Sequence, residues 1–358
     1  MGFPDRHPST GYRMKQSECH IASLALILIF YLGLLSGCGG SSSDVSGFQG
    51  VTMGTTYSIK YVKNGASKDA DVIKKAVDAA LLKINAMMST WEAESDISLV
   101  NQADSGQWIN LHPELSRLID FAFELSRITD GKYDVTLGPI INLWGFGPKG
   151  ERKIPADLQI EKAMQISGYD QIIFQGEHNR LKKRFKESFI DLSSIAKGYG
   201  VDKIATLLEE SGITDYMVEI GGEIRTGGMK KDRPWKIAIE SPRPLKNKTY
   251  HKVLNLTDCA VATSGDYRNF FIEGEKRYSH TIDPEIGRPV QNDVAGVTVA
   301  IPDGQCFKAD AWATALMVSG KDRGMEIATQ FKIPAHFIYI ENEQLKEIST
   351  IFFIKEFL

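Results

Sequence analysis

The chain has 358 residues, 42% of them hydrophobic and 24% charged, with 42 Lys plus Arg against 45 Asp plus Glu. Such a composition suits one large or two ordinary globular domains with a real core, and a net charge of −3 gives no basic face of the kind nucleic acid needs, so no nucleic-acid partner is expected. The seven His show no His-x-x-x-His spacing and the cysteines no Cys-x-x-Cys spacing, which argues against a zinc site.

The first strong signal is an apolar run from Ile21 to Leu35, behind a weakly basic stretch holding Arg13 and Lys15. At about 15 residues it is too short for the ~20 that span a bilayer, and it fits the core of a secretory signal. It ends in Leu35-Ser36-Gly37-Cys38, which resembles the bacterial lipobox, where the Cys becomes the acylated first residue of the mature chain. Residues 1–37 are therefore expected to be a lipoprotein signal peptide, Cys38 the lipidation site, residues 38–47 a flexible tether and residues 48–358 the folded domain. A short membrane anchor with an incidental Cys is the plainer alternative. Gly39 stands where an inner-membrane retention signal would carry Asp, and Met14 would give a more usual signal length than Met1. The expected location is the cell envelope, lipid-anchored to a membrane and facing the periplasm. Cys259 and Cys306 then remain for the domain, either paired in an oxidising compartment or buried as free thiols.

Residues 48–62 alternate like a strand. Residues 69–91 place Val72, Ile73, Ala76, Val77, Ala80, Leu81 and Ile84 at helical spacing. Residues 113–131 and 155–168 read as further helices, ended by Gly131 and Gly168. Residues 169–194 read as hairpin strands, and 194–212 as a helix capped by Ser and ended by Gly212. Residues 215–230 and 234–242 are short strands divided by Gly-rich turns, and 260–284 holds strand pieces around a turn at Glu273-Gly274-Glu275. Residues 294–302 form a strand, a buried helix starts at Ala309, and 334–357 is a terminal hairpin. Helices and strands are mixed without strict alternation and without an internal repeat, so the fold class is α+β, with mixed, largely antiparallel sheets flanked by helices.

Four segments are polar or Gly-rich where a core element would be apolar. In Asp191–Asp202, Ser193 and Ser194 can cap a helix whose free N–H groups favour an anion, and Lys197 can reach a phosphate; a capped helix with a surface Lys reads as well. In Val218–Gly228, two Gly pairs permit close backbone approach, though a bulge explains them equally. His280 precedes an Asp283-Pro284 turn and is a general-base candidate, where a lone His is usually structural. Asp310 and Thr314 lie four apart on a helix and so share a face. They are either an N-cap acid and a Thr bonded to its own helix, or oxygen ligands of a hard cation such as Mg²⁺.

Taken together, "VTMGTTYSI", "LWGFGP", "DLSSIAKGYGVD", "IGGEIRTGG", "ATSGDYRNFF…RYSHTIDPEIGRPV" and "ADAWATALMVSG" resemble, in order, the motifs of the ApbE-type FAD:protein FMN transferases, over residues 48 to 320. The resemblance implies an ApbE-like fold and an Mg²⁺-dependent enzyme. Such an enzyme splits FAD, passes the FMN phosphoryl group to a Thr or Ser hydroxyl of a partner flavoprotein, such as a respiratory membrane complex subunit, and releases AMP. It implies Ser194 (through a backbone oxygen), Asp310 and Thr314 as metal ligands. Met53, Trp91, Lys132, Tyr133, Asp134, Asp191, Lys197, His280 and Ile282 match flavin-nucleotide positions, with His280 as the catalytic base. Lys197 departs from members with Glu there, and Ala313 stands where some members carry a second Asp. An FAD pyrophosphatase giving FMN and AMP, or a non-catalytic periplasmic FAD-binding lipoprotein, are the alternatives.

Overall fold

The structure is a computed structural model that describes residues 45–63, 69–245, 248–265, 269–274, 276–302 and 304–358. The run Ile21–Leu35, Cys38 and the first part of the expected tether lie outside the described residues, as do Asp266, Tyr267 and Arg268 of the Ala262–Phe271 motif. Among the described residues no helix is long and apolar enough to cross a membrane.

An eight-stranded sheet organises everything else. Its strands run in the order Val45–Thr52, Thr55–Val62, Tyr216–Ile220, Glu223–Gly227, Cys259–Gly265, Val294–Pro302, Ala335–Glu341 and Gln344–Ser349. Every neighbouring pair is antiparallel. Order in space is therefore order in the chain, and the helices and small hairpins fill the connections. This is the expected α+β class.

Side chains alternate across a strand, and here both faces of the sheet are covered. On one face Ile59, Val218, Ile220, Ala260, Ala262, Val297, Val299 and Phe337 pack against four helices, Ala70–Met88, Pro113–Ile128, Ser193–Glu210 and Cys306–Ser319. On the other, Val261, Ala300 and Ile338 meet Ile237, Ile239, Leu254 and Leu256 of the hairpin Trp235–Leu245/Lys248–Leu256, together with Phe353. Cys259 and Cys306 are both free and buried. They belong to the clusters on opposite faces, so the sheet separates them.

Three expectations change. The single strand 48–62 is a hairpin, turned at Met53 and Gly54 with φ of 49° and 70°. Two left-handed residues make the tight turn that matches strand twist, and a Met there carries no turn signal. This hairpin also takes Val45, Ser46 and Gly47 out of the expected tether, because they pair with Val62, Tyr61 and Lys60. The terminal hairpin ends at Ser349; Thr350 then accepts the Phe353 N–H and starts a helix, Ile351–Phe357.

The third change concerns the crossing of helices Ser193–Glu210 and Cys306–Ser319. The second helix begins at Cys306 rather than Ala309. Its first N–H groups, on Cys306 and Phe307, donate at 2.9 Å to the two carboxylate oxygens of Asp202 on the first helix. A cap supplied from another helix leaves no mark in the local sequence. The helices meet at Gly198, where an added Cβ would lie 2.4 Å from the Cys306 carbonyl oxygen and 2.7 Å from Phe307 Cα. Those neighbours are backbone and cannot swing aside. Gly198→Ala should therefore cost about 1–3 kcal/mol of stability, the range for overpacking a tight core, read as a lowered urea midpoint; an unchanged midpoint would refute the tight crossing.

Candidate active site

The crossing sets up the site. Asp310 is the fifth residue of its helix and only 3% exposed. Its Oδ2 accepts the Gly198 N–H at 2.9 Å, and its Oδ1 lies 3.5 Å from Lys197 Nζ. Lys197 is also 3.1 Å from Oε1 of Glu223, another buried acid. Two carboxylates thus share one ammonium, and the remaining Glu223 oxygen, Oε2, has no hydrogen-bond partner among the described residues. Burial pushes the Glu223 carboxyl up to about 8 and raises Asp310 as well, Lys197 only partly opposing it. Burial alone would lower Lys197, but Asp310 and Glu223 hold it above its usual value.

Thr314 follows one turn after Asp310 and is half-buried. Its hydroxyl lies 3.0 Å from Ser264 Oγ, at the end of strand Cys259–Gly265. Asp310 is therefore not an N-cap, and Thr314 is bonded across to a strand. Ser194 Oγ is 2.9 Å from the buried Tyr133 hydroxyl. The expectation that Ser caps this helix is corrected: the N-cap position is Leu192, without a side-chain bond, and Asp191 Oδ1 accepts the Ser193 N–H at 2.8 Å. A carboxylate two residues upstream does what a serine was expected to do. Asp191 is itself pinned, its N–H donating to the Val135 carbonyl at 2.7 Å, and burial raises its pKa.

The other predicted residues lie around the same crossing or on the connections beside it. Met53, in the hairpin turn, packs over the Ser193–Glu210 helix, where an added Cβ on Gly200 would meet Met53 Cε at 3.0 Å. Gly221, with φ 62°, leaves room for Thr55 and Lys197, whose Cγ2 and Cδ would stand 2.9 and 3.1 Å from its Cβ. The hairpin turn, the Gly221-Gly222 turn and Lys197 are thus contiguous. Lys132 Nζ pairs with Asp283 at 3.0 Å and Glu285 at 2.8 Å, tying the Gly131 turn to the strand after His280. Asp134 uses both oxygens internally: Oδ1 accepts from the Thr136 N–H and hydroxyl, Oδ2 from the Tyr169 N–H. Ile282 buries its side chain beside Trp144, Leu137 and Ile160, and its backbone pairs with Pro289. Trp91 sits in the bend after Ala70–Met88 with its side chain 70% exposed.

His280 is exposed, and both its backbone N–H and ring Nδ1 lie against the Asn269 carbonyl, at 3.0 and 3.1 Å. A carbonyl only accepts, so Nδ1 carries the proton and Nε2 keeps its lone pair. Partial desolvation, aided by the charges of Lys197 and Arg152, outweighs the Asn269 bond and lowers the imidazole's pKa. That suits a base already neutral at pH 7.

Glu223 is not among the residues the sequence singles out; its segment stands out only for two Gly pairs that permit close backbone approach. Its signal is the hairpin register. A two-residue Gly221-Gly222 turn sets Glu223 opposite Ile220, on the helix-covered face, and an acid on an apolar face calls for a partner. Asp310, Thr314 and a main-chain oxygen at Ser194 are hard oxygen donors, and the Glu223 carboxyl, kept protonated by burial, would give up its proton beside a divalent cation. The residues present fit Mg²⁺.

Comparison with known proteins gives the family. Residues 53–337 match the model of the ApbE family. The FAD:protein FMN transferase of Vibrio cholerae is 41% identical over 93% of this chain and 98% of its own; that of Haemophilus influenzae is 37% identical over 85% and 89%. The solved flavin transferase ApbE from Vibrio cholerae superposes with a TM-score of 0.81 at 40% identity, covering 88% of this chain and 99% of that one.

The buried acids make stability depend on pH. The folded-state value of about 8 for Glu223 lies above its ordinary 4.5, so folding takes up a proton between those values and stability falls as pH rises through that window. In chelator, urea midpoints of the wild type should fall across the range, and Glu223→Gln should flatten the decline. A slope that the substitution leaves intact would assign the effect elsewhere.

Proposed function

This chain belongs to the ApbE family, and from that membership we propose that it transfers the FMN moiety of FAD to a Thr or Ser hydroxyl of a partner flavoprotein and releases AMP, with Mg²⁺ as the metal. The coarser activity, FAD:protein FMN transfer, rests on 41% and 37% identity to enzymes of that name over most of both chains. The observation that carries the finer reading is the buried Asp310, held by the Gly198 N–H and Lys197, one helical turn from Thr314 and beside an uncompensated Glu223 oxygen.

Phosphoryl transfer asks a protein for position and positive field more than for covalent chemistry. The N-terminus of helix Ser193–Glu210 and Lys197 supply such a field to the FAD diphosphate. A bound Mg²⁺, on Asp310, Thr314 and the Ser194 main-chain oxygen, would neutralise the charge of that diphosphate. His280 Nε2 takes the acceptor hydroxyl's proton. The acceptor oxygen bonds to the FMN phosphorus, the bond from that phosphorus to the bridging oxygen breaks, and AMP leaves with the bridging oxygen. The Lys132–Asp283 pair fixes the segment after His280 against the pocket wall.

The same reading extends to location. The run Ile21–Leu35 and the Leu35-Ser36-Gly37-Cys38 motif support a chain acylated at Cys38, held on an envelope membrane and facing the periplasm, where a respiratory membrane complex subunit would be within reach as acceptor.

The test incubates the protein with FAD, Mg²⁺ and an acceptor domain and looks for denaturant-resistant flavin fluorescence on the acceptor. Asp310→Ala should lower labelling by about 10²–10³-fold; AMP release at full rate with no acceptor labelled would identify a pyrophosphatase instead. His280→Ala should cost about 10²–10⁴-fold, the usual share of a general base. Because its pKa is lowered, the wild-type rate should fall only below the ordinary imidazole range. An acid limb at higher pH would remove His280 from the role.

A further inference from the structure

On the sheet face opposite Asp310, three side chains from three strands converge: His251 on Lys248–Leu256, His336 on Ala335–Glu341 and Glu347 on Gln344–Ser349. His251 Nε2 is 2.5 Å from Glu347 Oε2, and His336 Nε2 is 3.6 Å from the same oxygen. The three donor atoms lie within 4.8 Å of one another. His336 is 0% exposed, yet its Nε2 has no hydrogen-bond partner among the described residues. Leaving a buried polar nitrogen unpaired is costly, and here that nitrogen is aimed into the cluster.

The surroundings hold the three groups in place. His336 Nδ1 lies 2.8 Å from Ser349 Oγ, and its ring stacks on Phe353 with centroids 5.4 Å apart. Lys252 Nζ takes the other Glu347 oxygen at 3.1 Å, so Oε2 is left to the histidines. A ligating imidazole usually donates its second N–H to an oxygen, and Ser349 offers one to His336.

We propose that His251 Nε2, His336 Nε2 and Glu347 Oε2 bind one first-row divalent transition ion, Zn²⁺ foremost, with water in the fourth position. Two imidazoles and a carboxylate suit zinc, where the all-oxygen set at Asp310 suits magnesium. Tetrahedral ligands with bonds of about 2.0–2.1 Å stand roughly 3.3 Å apart. The observed 2.5 and 3.6 Å bracket that spacing, so small side-chain shifts complete the site. On binding, His251 gives up the Nε2 proton it shares with Glu347, to solvent or to its own Nδ1. The His251 and Glu347 side chains are 20% and 44% exposed, which leaves a route in for the ion. Its role is structural: it clamps the hairpin Trp235–Leu245/Lys248–Leu256 onto the last two strands of the sheet.

The test strips the purified protein with chelator and titrates Zn²⁺, then Co²⁺, in excess Mg²⁺ to occupy the oxygen site. One Zn²⁺ should bind per chain and raise the melting temperature, and Co²⁺ should give the strong visible bands of tetrahedral coordination. His251→Ala and Glu347→Gln alter the exposed ligands and spare the buried His336. Each should weaken Zn²⁺ by more than about 100-fold, beyond the 10–100-fold typical of a partner one shell further out, and abolish the Co²⁺ bands, while flavin transfer in Mg²⁺ is retained. Zinc binding that survives both substitutions, or that is lost with Asp310→Ala, or Co²⁺ spectra of octahedral type, would overturn the assignment.

Discussion

Everything at the pocket depends on how closely two helices approach. With no side chain at Gly198, the backbone of one helix touches the backbone of the other, and only at that distance can Asp310 accept a main-chain N–H from its neighbour. The same contact lets Asp202 cap the second helix from the first. One missing Cβ therefore positions the acid, starts its helix and brings Lys197 beside it. The binding groups are held by backbone geometry, which does not relax as a loop does.

The charge arrangement follows from this burial. A lone carboxylate taken out of water would neutralise by protonation. Asp310 is opposed by Lys197, but Glu223 draws on the same ammonium, so one ammonium faces two carboxyls and burial leaves Glu223 protonated at neutral pH. A cation bound there would take that proton's place. The exposed His280 sits at the edge of this field, lowered in part by Lys197, so the acid cluster and the base are electrically linked although they come from different connections of the sheet.

Much of this was legible in the sequence, and what was not depended on partners and turns that local pattern does not specify. The Asp310–Thr314 pair shows itself through helical spacing, and the fold class through helices and strands mixed without strict alternation. Ser193 and Ser194 misled as caps because Asp191 satisfied the helix first. The helix start at Cys306 was hidden because Asp202 lies far away in the chain. Glu223 stayed obscure because its burial depends on the register of a hairpin. The cluster of His251, His336 and Glu347 has no spacing signature at all, since each ligand belongs to a different strand. For the helix start and the histidine cluster the deciding partner is distant in sequence; for the Ser cap and Glu223 it is a near neighbour, Asp191 or Ile220, whose effect depends on turn geometry.

The meander described above has one more effect. The connection from residue 63 to residue 215 leaves from one strand and returns to its immediate neighbour: the Val62 N–H donates to the Asp215 carbonyl at 2.9 Å, and Tyr61 faces Tyr216. Both ends of that excursion are thus fixed at a single strand junction. Changes in length are therefore tolerated in its exposed loops, while the three helices it lays on the sheet, Lys197 and Gly198 among their residues, are bound to the core.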